Sequence, residues 1–232
     1  MADTLAYVIK PHIQPAVPVD GENGLFPVRR IYCVGRNYAE HAREMGHDPD
    51  REPPFFFQKN PDSVVPTGGV FPYPEQSKDV HHEIELVVAL GSGVRNIPVD
   101  KALDHVFGYA VGLDMTARNL QGEAKRMGRP WEMGKAFDHS APMTSIVPAS
   151  RIGHPTSGLI WLEVNGERRQ TGDLRDLIWS IPEMISILSR HVELKSGDLI
   201  FTGTPAGVGP VRPGDRLTGG VDGVGRIEVR VA

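Results

Sequence analysis

A β-rich α+β fold is predicted by three observations. The 232-residue chain carries 26 glycines and 20 prolines, placed between short apolar runs rather than inside long helical patterns. "LIWLEVNGERRQ" sets Asn165-Gly166 between two β-patterned runs, which is the signature of a type I′ hairpin. "IELVVALG" is an apolar run of strand length interrupted only by Glu85, far short of the roughly 20 residues that cross a bilayer.

Taken in order, the first 28 residues are Pro-rich and weakly patterned, and read as an extended arm on a single domain formed by residues 29–232. "RRIYCVG" reads as a strand, and "RNYAEHAREMG" as a short helix with Asn37 as N-cap and Gly46 as its stop. "FFFQK" is a strand after a loop. "VFGYAVGLDMT" is a strand ending near Asp114, and "ARNLQGEAKRMG" a polar helix closing at Gly128. "SIPEMISILSRH" begins with Ser180 and has Glu183 three residues on, a capping box, with Pro182 tolerated in the first turn. The tail from residue 197 reads as a strand, a glycine-rich turn and further short strands.

Composition excludes several function classes. Net charge is -4 with no cluster of basic residues, which argues against nucleic acid as a partner. Cys33 is the one cysteine, so an internal disulfide is excluded and a reducing compartment is suited. The start lacks a basic stretch followed by an apolar one, so no signal peptide is expected. A cytoplasmic protein that spans no membrane is the expectation.

"DVHHEIELVVALG" (79–91) raises the chemical question. As a strand it puts Glu83, Glu85, Val87 and Ala89 on one face, and Ile84, Leu86, Val88 and Leu90 on the other. Both faces read as buried, so two carboxylates project side by side at the edge of a core. Their repulsion at about 4 Å would be on the order of 4 kcal/mol at an effective dielectric of 20. A proton, a basic side chain or a divalent cation could offset it. Asp114, which interrupts "YAVGLDMTA" at its carboxyl end, strengthens the cation reading. Three carboxylates without a cysteine or histidine cluster make a hard oxygen site, suited to Mg²⁺ or Mn²⁺ rather than Zn²⁺. His81 and His82 read as packing or hydrogen-bonding neighbours.

His41 and Glu44, three apart, would share a helix face. A carboxylate beside an imidazole raises its pKa and makes a general base for water, although such a pair is also an ordinary feature of a solvated helix. Arg36, Lys59 and Lys135 end apolar segments and could together hold an anionic substrate, with Arg36 gripping a carboxylate bidentately. "TGTPAGVG" offers backbone N–H groups to an anion, or is simply a turn. Neither a phosphate-loop motif nor a G-x-S-x-G elbow is present, which weakens nucleotide binding and α/β-hydrolase chemistry.

"GRNYAEHAREMG", "HHEIELVVALG", "GLDMTARNLQ", "WEMGKAFD", "VNGERRQ" and "TGTPAGVG", in that order, resemble the fumarylacetoacetate hydrolase family, from about residue 29 to the end. Length and the N-terminal stretch look most like its bacterial fumarylpyruvate hydrolases and acylpyruvases. The resemblance implies a mixed β-roll or sandwich with short peripheral helices, usually a homodimer, around a Mg²⁺ or Mn²⁺ site. It implies Glu83, Glu85 and Asp114 as metal ligands, and His41 with Glu44 as the water-activating dyad. Lys135 and Gln121 would contact oxygens around the reacting centre, Thr204 the substrate carboxylate, and Arg36 and Lys59 would line the site. The implied reaction is hydrolysis of a C–C bond in a 2,4-dioxo acid, fumarylpyruvate giving fumarate and pyruvate. Isomerisation, tautomerisation or oxaloacetate decarboxylation at the same site is the alternative, and a non-catalytic metal-dependent binding module is the third reading.

Overall fold

A computed structural model describes residues 7–40 and 52–232. The expected helix after Asn37, and with it His41, Glu44 and Gly46, lies for the most part outside the described residues. Among the described residues the largest sheet runs, strand by strand, Phe55–Lys59, Arg30–Gly35, Asp198–Phe201, Ile84–Leu90, Val106–Leu113, Ala141–Met143 and Val64–Pro66, with Val147–Pro148 beside Val106–Leu113. Pairing is mixed: Asp198–Phe201 is parallel to Arg30–Gly35 and antiparallel to Ile84–Leu90. A second sheet orders Glu167–Asp173, Leu159–Val164, Arg216–Val221, Gly225–Val231 and Val70–Phe71. The predicted β-rich fold of curled sheets with short helices is what forms.

The alternation read from residues 84–90 decides where the cores lie. Ile84, Leu86, Val88 and Leu90 join a large core with Ile160, Leu162, Leu217 and Val229 of the second sheet. Val87 and Ala89 face the other way, into a smaller core with Ile31, Cys33, Leu199 and Phe201. Val17, Phe26 and Val28, from the stretch read as an arm, complete that smaller core. Ala16–Pro18 and Leu25–Pro27 pair there as a two-stranded ribbon.

Local chemistry accounts for the turns and caps. Asn165 and Gly166 take φ of 54° and 82°, the two positive values that a type I′ turn demands, between Leu159–Val164 and Glu167–Asp173. The helix Arg118–Met127 stops at Gly128, whose φ of 62° is left-handed. Ser180 donates from both its backbone N–H and its hydroxyl to the Glu183 carboxylate ahead of helix Ile181–His191.

The expected 79–91 strand is in fact two. Val80–His82 pairs with Thr116–Ala117 and Gly209–Val211 in a small sheet of its own, and Ile84–Leu90 belongs to the large one. Gln170 explains the break. Its side-chain oxygen accepts the Ile84 N–H at 3.1 Å and lies 2.9 Å from His82 Nδ1, so the backbone changes partners across Glu83. No helix among the described residues is long and apolar enough to cross a membrane.

Candidate functional site

Antiparallel pairing brings the carboxylates together. Ile84 sits opposite Leu113 and Glu85 opposite Gly112, so the start of one strand meets the end of the other, where Asp114 follows. The Asp114 N–H donates to Glu83 O at 2.8 Å and locks that junction. Gly112 is required there, because a Cβ would come within 2.6 Å of the Phe201 ring and 2.7 Å of Val87. One oxygen from each of Glu83, Glu85 and Asp114 lies within 4.8 Å of the others, and all three residues are buried.

Three basic side chains meet this charge. Lys135, on the short helix Glu132–Lys135, donates to Glu83 Oε2 at 2.8 Å, Asp114 Oδ2 at 2.6 Å and Thr116 Oγ1 at 2.7 Å. Arg118 pairs with the other Glu83 oxygen. Lys59 Nζ stands 2.8 Å from Asp114 Oδ1, at an angle that leaves that buried oxygen without a hydrogen bond. Glu85 differs from its neighbours. Its carboxylate accepts the Gly203 N–H at 2.7 Å, and no basic side chain among the described residues lies within ion-pair distance of it. Burial first, then Asp114 and Glu83, hold its carboxyl well above the usual range. Burial alone would pull the Lys135 ammonium down, but Asp114 and Glu83 outweigh it and raise its pKa.

The donor set fits a divalent cation. All three acidic residues offer oxygen, one buried oxygen has no hydrogen bond, and one carboxylate has no basic side chain of the described residues within ion-pair distance. Basic side chains thus answer part of the question posed by residues 83 and 85, and the donor set suits a cation for the rest.

A pocket of about 40 Å³ opens on this cluster. Glu83, Glu85, Asp114, Lys135, Gln121, Arg36 and Thr204 line it, together with Arg118, Lys125, Phe55, Phe57 and Trp131. Arg36 reaches it from a left-handed backbone, φ 58°, a conformation costing a non-glycine residue on the order of 1 kcal/mol. Its guanidinium lies 5.4 Å from the Phe55 ring centroid. Gly35 before it leaves room for that ring, 2.0 Å from where a Cβ would be. Gln121 accepts from Arg118 at 2.9 Å, and Gly134 lets the Lys135 helix pack directly on the Gln121 backbone.

Two expected substrate contacts are arranged differently. Lys59 lies behind the pocket wall, donating to Met115 O at 3.1 Å and to Lys135 O, so it steadies Asp114 and the Lys135 turn. Thr204 lines the pocket, but its hydroxyl donates to Ile84 O at 2.7 Å and accepts from Gln170 at 2.8 Å. It reaches a substrate oxygen as a donor only by leaving Ile84. Within "TGTPAGVG", the anion that Gly203 N–H meets is the Glu85 carboxylate, and the Gly203 φ of 98° permits it. Asn37 ties this turn down, donating to Thr202 O and Trp179 O while accepting from Trp179 N. His82 hydrogen-bonds to Gln170 and Cys33 is buried, and neither faces the carboxylates as a ligand. Arg118 was missed by the sequence reading. Its signal was its place one turn before Gln121 on a helix that leaves directly after "LDMT".

Residues 30–232 match the model of the fumarylacetoacetate (FAA) hydrolase C-terminal family. The crystal structure of fumarylpyruvate hydrolase from Pseudomonas aeruginosa in complex with Mn²⁺ and pyruvate is 54% identical, with a TM-score of 0.96 over 98% of this chain and 99% of that one. Oxaloacetate tautomerase FAHD1, mitochondrial, of Arabidopsis thaliana is 42% identical over 87% of this chain and 90% of its own length. The Homo sapiens protein of the same name is 43% identical over 84% and 88%.

Proposed function

The chain belongs to the fumarylacetoacetate hydrolase family, and from that premise we propose that it hydrolyses a C–C bond in a 2,4-dioxo acid, with fumarylpyruvate as substrate and fumarate and pyruvate as products. The observation that carries this reading is one pocket in which three buried carboxylates converge with Lys135, Arg118 and Gln121. The 54% identity to a fumarylpyruvate hydrolase supports the choice of substrate.

In this reading Glu83, Glu85 and Asp114 hold Mg²⁺ or Mn²⁺. When bound, that cation supplies Lewis-acid polarisation of the substrate's oxygens. Arg36 fixes the carboxylate of the pyruvoyl end, Thr204 joins it by turning its hydroxyl from Ile84 O, and Gln121 orients the neighbouring oxygens. His41, oriented by Glu44, removes a proton from water as its oxygen bonds to the C4 carbonyl carbon. Lys135 and Arg118 face the negative charge that develops, where fixed charges are worth most. The C3–C4 bond then breaks, its electron pair stays with C3 in the enolate of pyruvate, and protonation at C3 completes the reaction. The acyl part leaves as a carboxylate.

Metal-stripped enzyme should leave fumarylpyruvate and acetylpyruvate untouched, and added Mg²⁺ or Mn²⁺ should restore loss of the enol absorbance with equal release of pyruvate. Absorbance loss without pyruvate would overturn hydrolysis. His41→Ala is expected to lower turnover about 10²–10⁴-fold with metal binding retained. Normal turnover in that variant would remove His41 from the mechanism. A second reading, tautomerisation of oxaloacetate by the same residues, is favoured by the relatives at 42% and 43% identity. Enol–keto conversion of oxaloacetate by an enzyme inert towards both dioxo acids would establish it.

A further inference from the structure

We propose that Lys125, standing against Trp131 in the pocket lining, selects substrates that carry a second carboxylate at the acyl end. The inference rests on the dioxo-acid reading above and goes beyond it by naming the residue that would set the acyl preference. Helix Arg118–Met127 presents Arg118, Gln121 and Lys125 at spacings of three and four, so one helix face turns all three to the pocket. Arg118 is at the inner end, paired with Glu83. Lys125 is seven residues on, about 10 Å along the axis at 1.5 Å per residue. A seven-carbon keto diacid spans about 8 Å at bond lengths of about 1.5 Å. The helix backbone therefore sets Lys125 about one such molecule's length from Arg118, which stands beside the carboxylate cluster.

Lys125 is held in position without being neutralised. Its Nζ lies 4.8 Å from the Trp131 ring centroid, Trp131 meets Phe55 edge to face at 5.1 Å, and the Arg36 guanidinium lies 5.4 Å from the Phe55 centroid. Among the described residues no carboxylate lies within ion-pair distance of Lys125 or Arg36. Partial burial, then Arg118, Arg36 and Lys135, hold the Lys125 pKa below the usual lysine range, so an anion arriving here relieves mutual repulsion of the cations. Charge counting points the same way. Lys59, Lys135 and Arg118, pairing with Glu83 and Asp114, already match the cluster's three negative charges in number, and a divalent cation would add two more positive charges. Among the described residues lining the pocket, Arg36 and Lys125 remain for the substrate, one for each carboxylate of a dianion.

The test compares wild type with Lys125→Met, which keeps a hydrocarbon stem against Trp131, and with Lys125→Arg. With Mg²⁺ saturating, kcat/KM for fumarylpyruvate should fall about 10–100-fold in Lys125→Met, mostly through KM, with a much smaller change for acetylpyruvate. Lys125→Arg should recover most of the loss. Equal losses on both substrates, or none on either, would overturn the proposal. Calorimetric binding of fumarate against crotonate, a monoanion of similar shape, gives a second readout. Wild type should prefer fumarate, and Lys125→Met should lose the preference. If wild type turns over neither dioxo acid, the reading of the reaction falls, and the fumarate–crotonate comparison still decides the role of Lys125.

Discussion

Lys135→Met is expected to lower the Tm of the metal-free protein by on the order of 10 °C and to cut turnover about 10²–10³-fold. The ammonium touches Glu83 and Asp114 at 2.8 and 2.6 Å and is buried with both. Methionine fills similar space but leaves two carboxylates facing each other with one contact fewer. Removing one partner of a buried ion pair typically costs about 3–5 kcal/mol, and each kcal/mol shifts Tm by about 2–4 °C in a chain of this length. The loss of turnover follows, in the proposed reaction, from removing a fixed positive charge from the pocket where negative charge develops. Adding Mn²⁺ should raise the Tm of the variant more than that of wild type, since the cation then supplies the missing charge. At a hundredfold excess over Kd, ligand binding contributes about 2.7 kcal/mol. Thermal scans with and without Mn²⁺ decide it, and an unchanged metal-free Tm would mean that Lys135 carries no share of that electrostatic load.

Glu85→Gln should move function and stability in opposite directions. Glu85 is buried, accepts one backbone N–H, and has its charge opposed by Asp114 and Glu83. Pairwise repulsion between carboxylates separated by up to 4.8 Å is about 3 kcal/mol at an effective dielectric of 20. Glutamine has nearly the same shape, keeps an oxygen for Gly203, and removes the charge. The metal-free variant is therefore expected to melt at the wild-type temperature or a few degrees above it. Its Mn²⁺ affinity should fall at least ~100-fold, beyond the effect of losing a group that merely orients a ligand. Turnover should fall with it. Titration calorimetry and a thermal scan of one preparation give both numbers. A wild-type Mn²⁺ affinity would strike Glu85 from the ligand set, and a large drop in metal-free Tm would show that its charge is compensated in the native fold.

How much of this was legible in the sequence depends on whether a residue's role is local. The Asn165-Gly166 turn, the stop at Gly128 and the Ser180–Glu183 pair are fixed by backbone conformation and neighbours within four residues, and they formed as read. Glu83, Glu85 and Asp114 were visible because carboxylates that interrupt apolar runs demand a partner. Their convergence was not local and needed the antiparallel register of Ile84–Leu90 with Val106–Leu113. Arg118 was hidden for the opposite reason. On a polar helix one arginine looks like another until the fold brings Glu83 to it. Lys59 was visible as a charge at a strand end, but only the packing of Lys135 across it puts it behind the wall. The break at Glu83 was illegible because its cause, Gln170, lies on a strand of the other sheet.

The join between Glu85 and the Gly203 turn spans 118 residues, and Asp114 reaches Glu83 only through a completed strand pairing. No short piece of the chain can therefore assemble the carboxylate cluster. Closing such long loops costs chain entropy before any contact repays it, so these pairings come late in folding. A nascent or half-folded chain has scattered acids with little grip on a cation, and a finished one has a buried cage for it. Under the proposed ligand set, cation capture is in this sense a final inspection. It rewards only molecules whose large sheet has closed in register, and draws the folding equilibrium towards them.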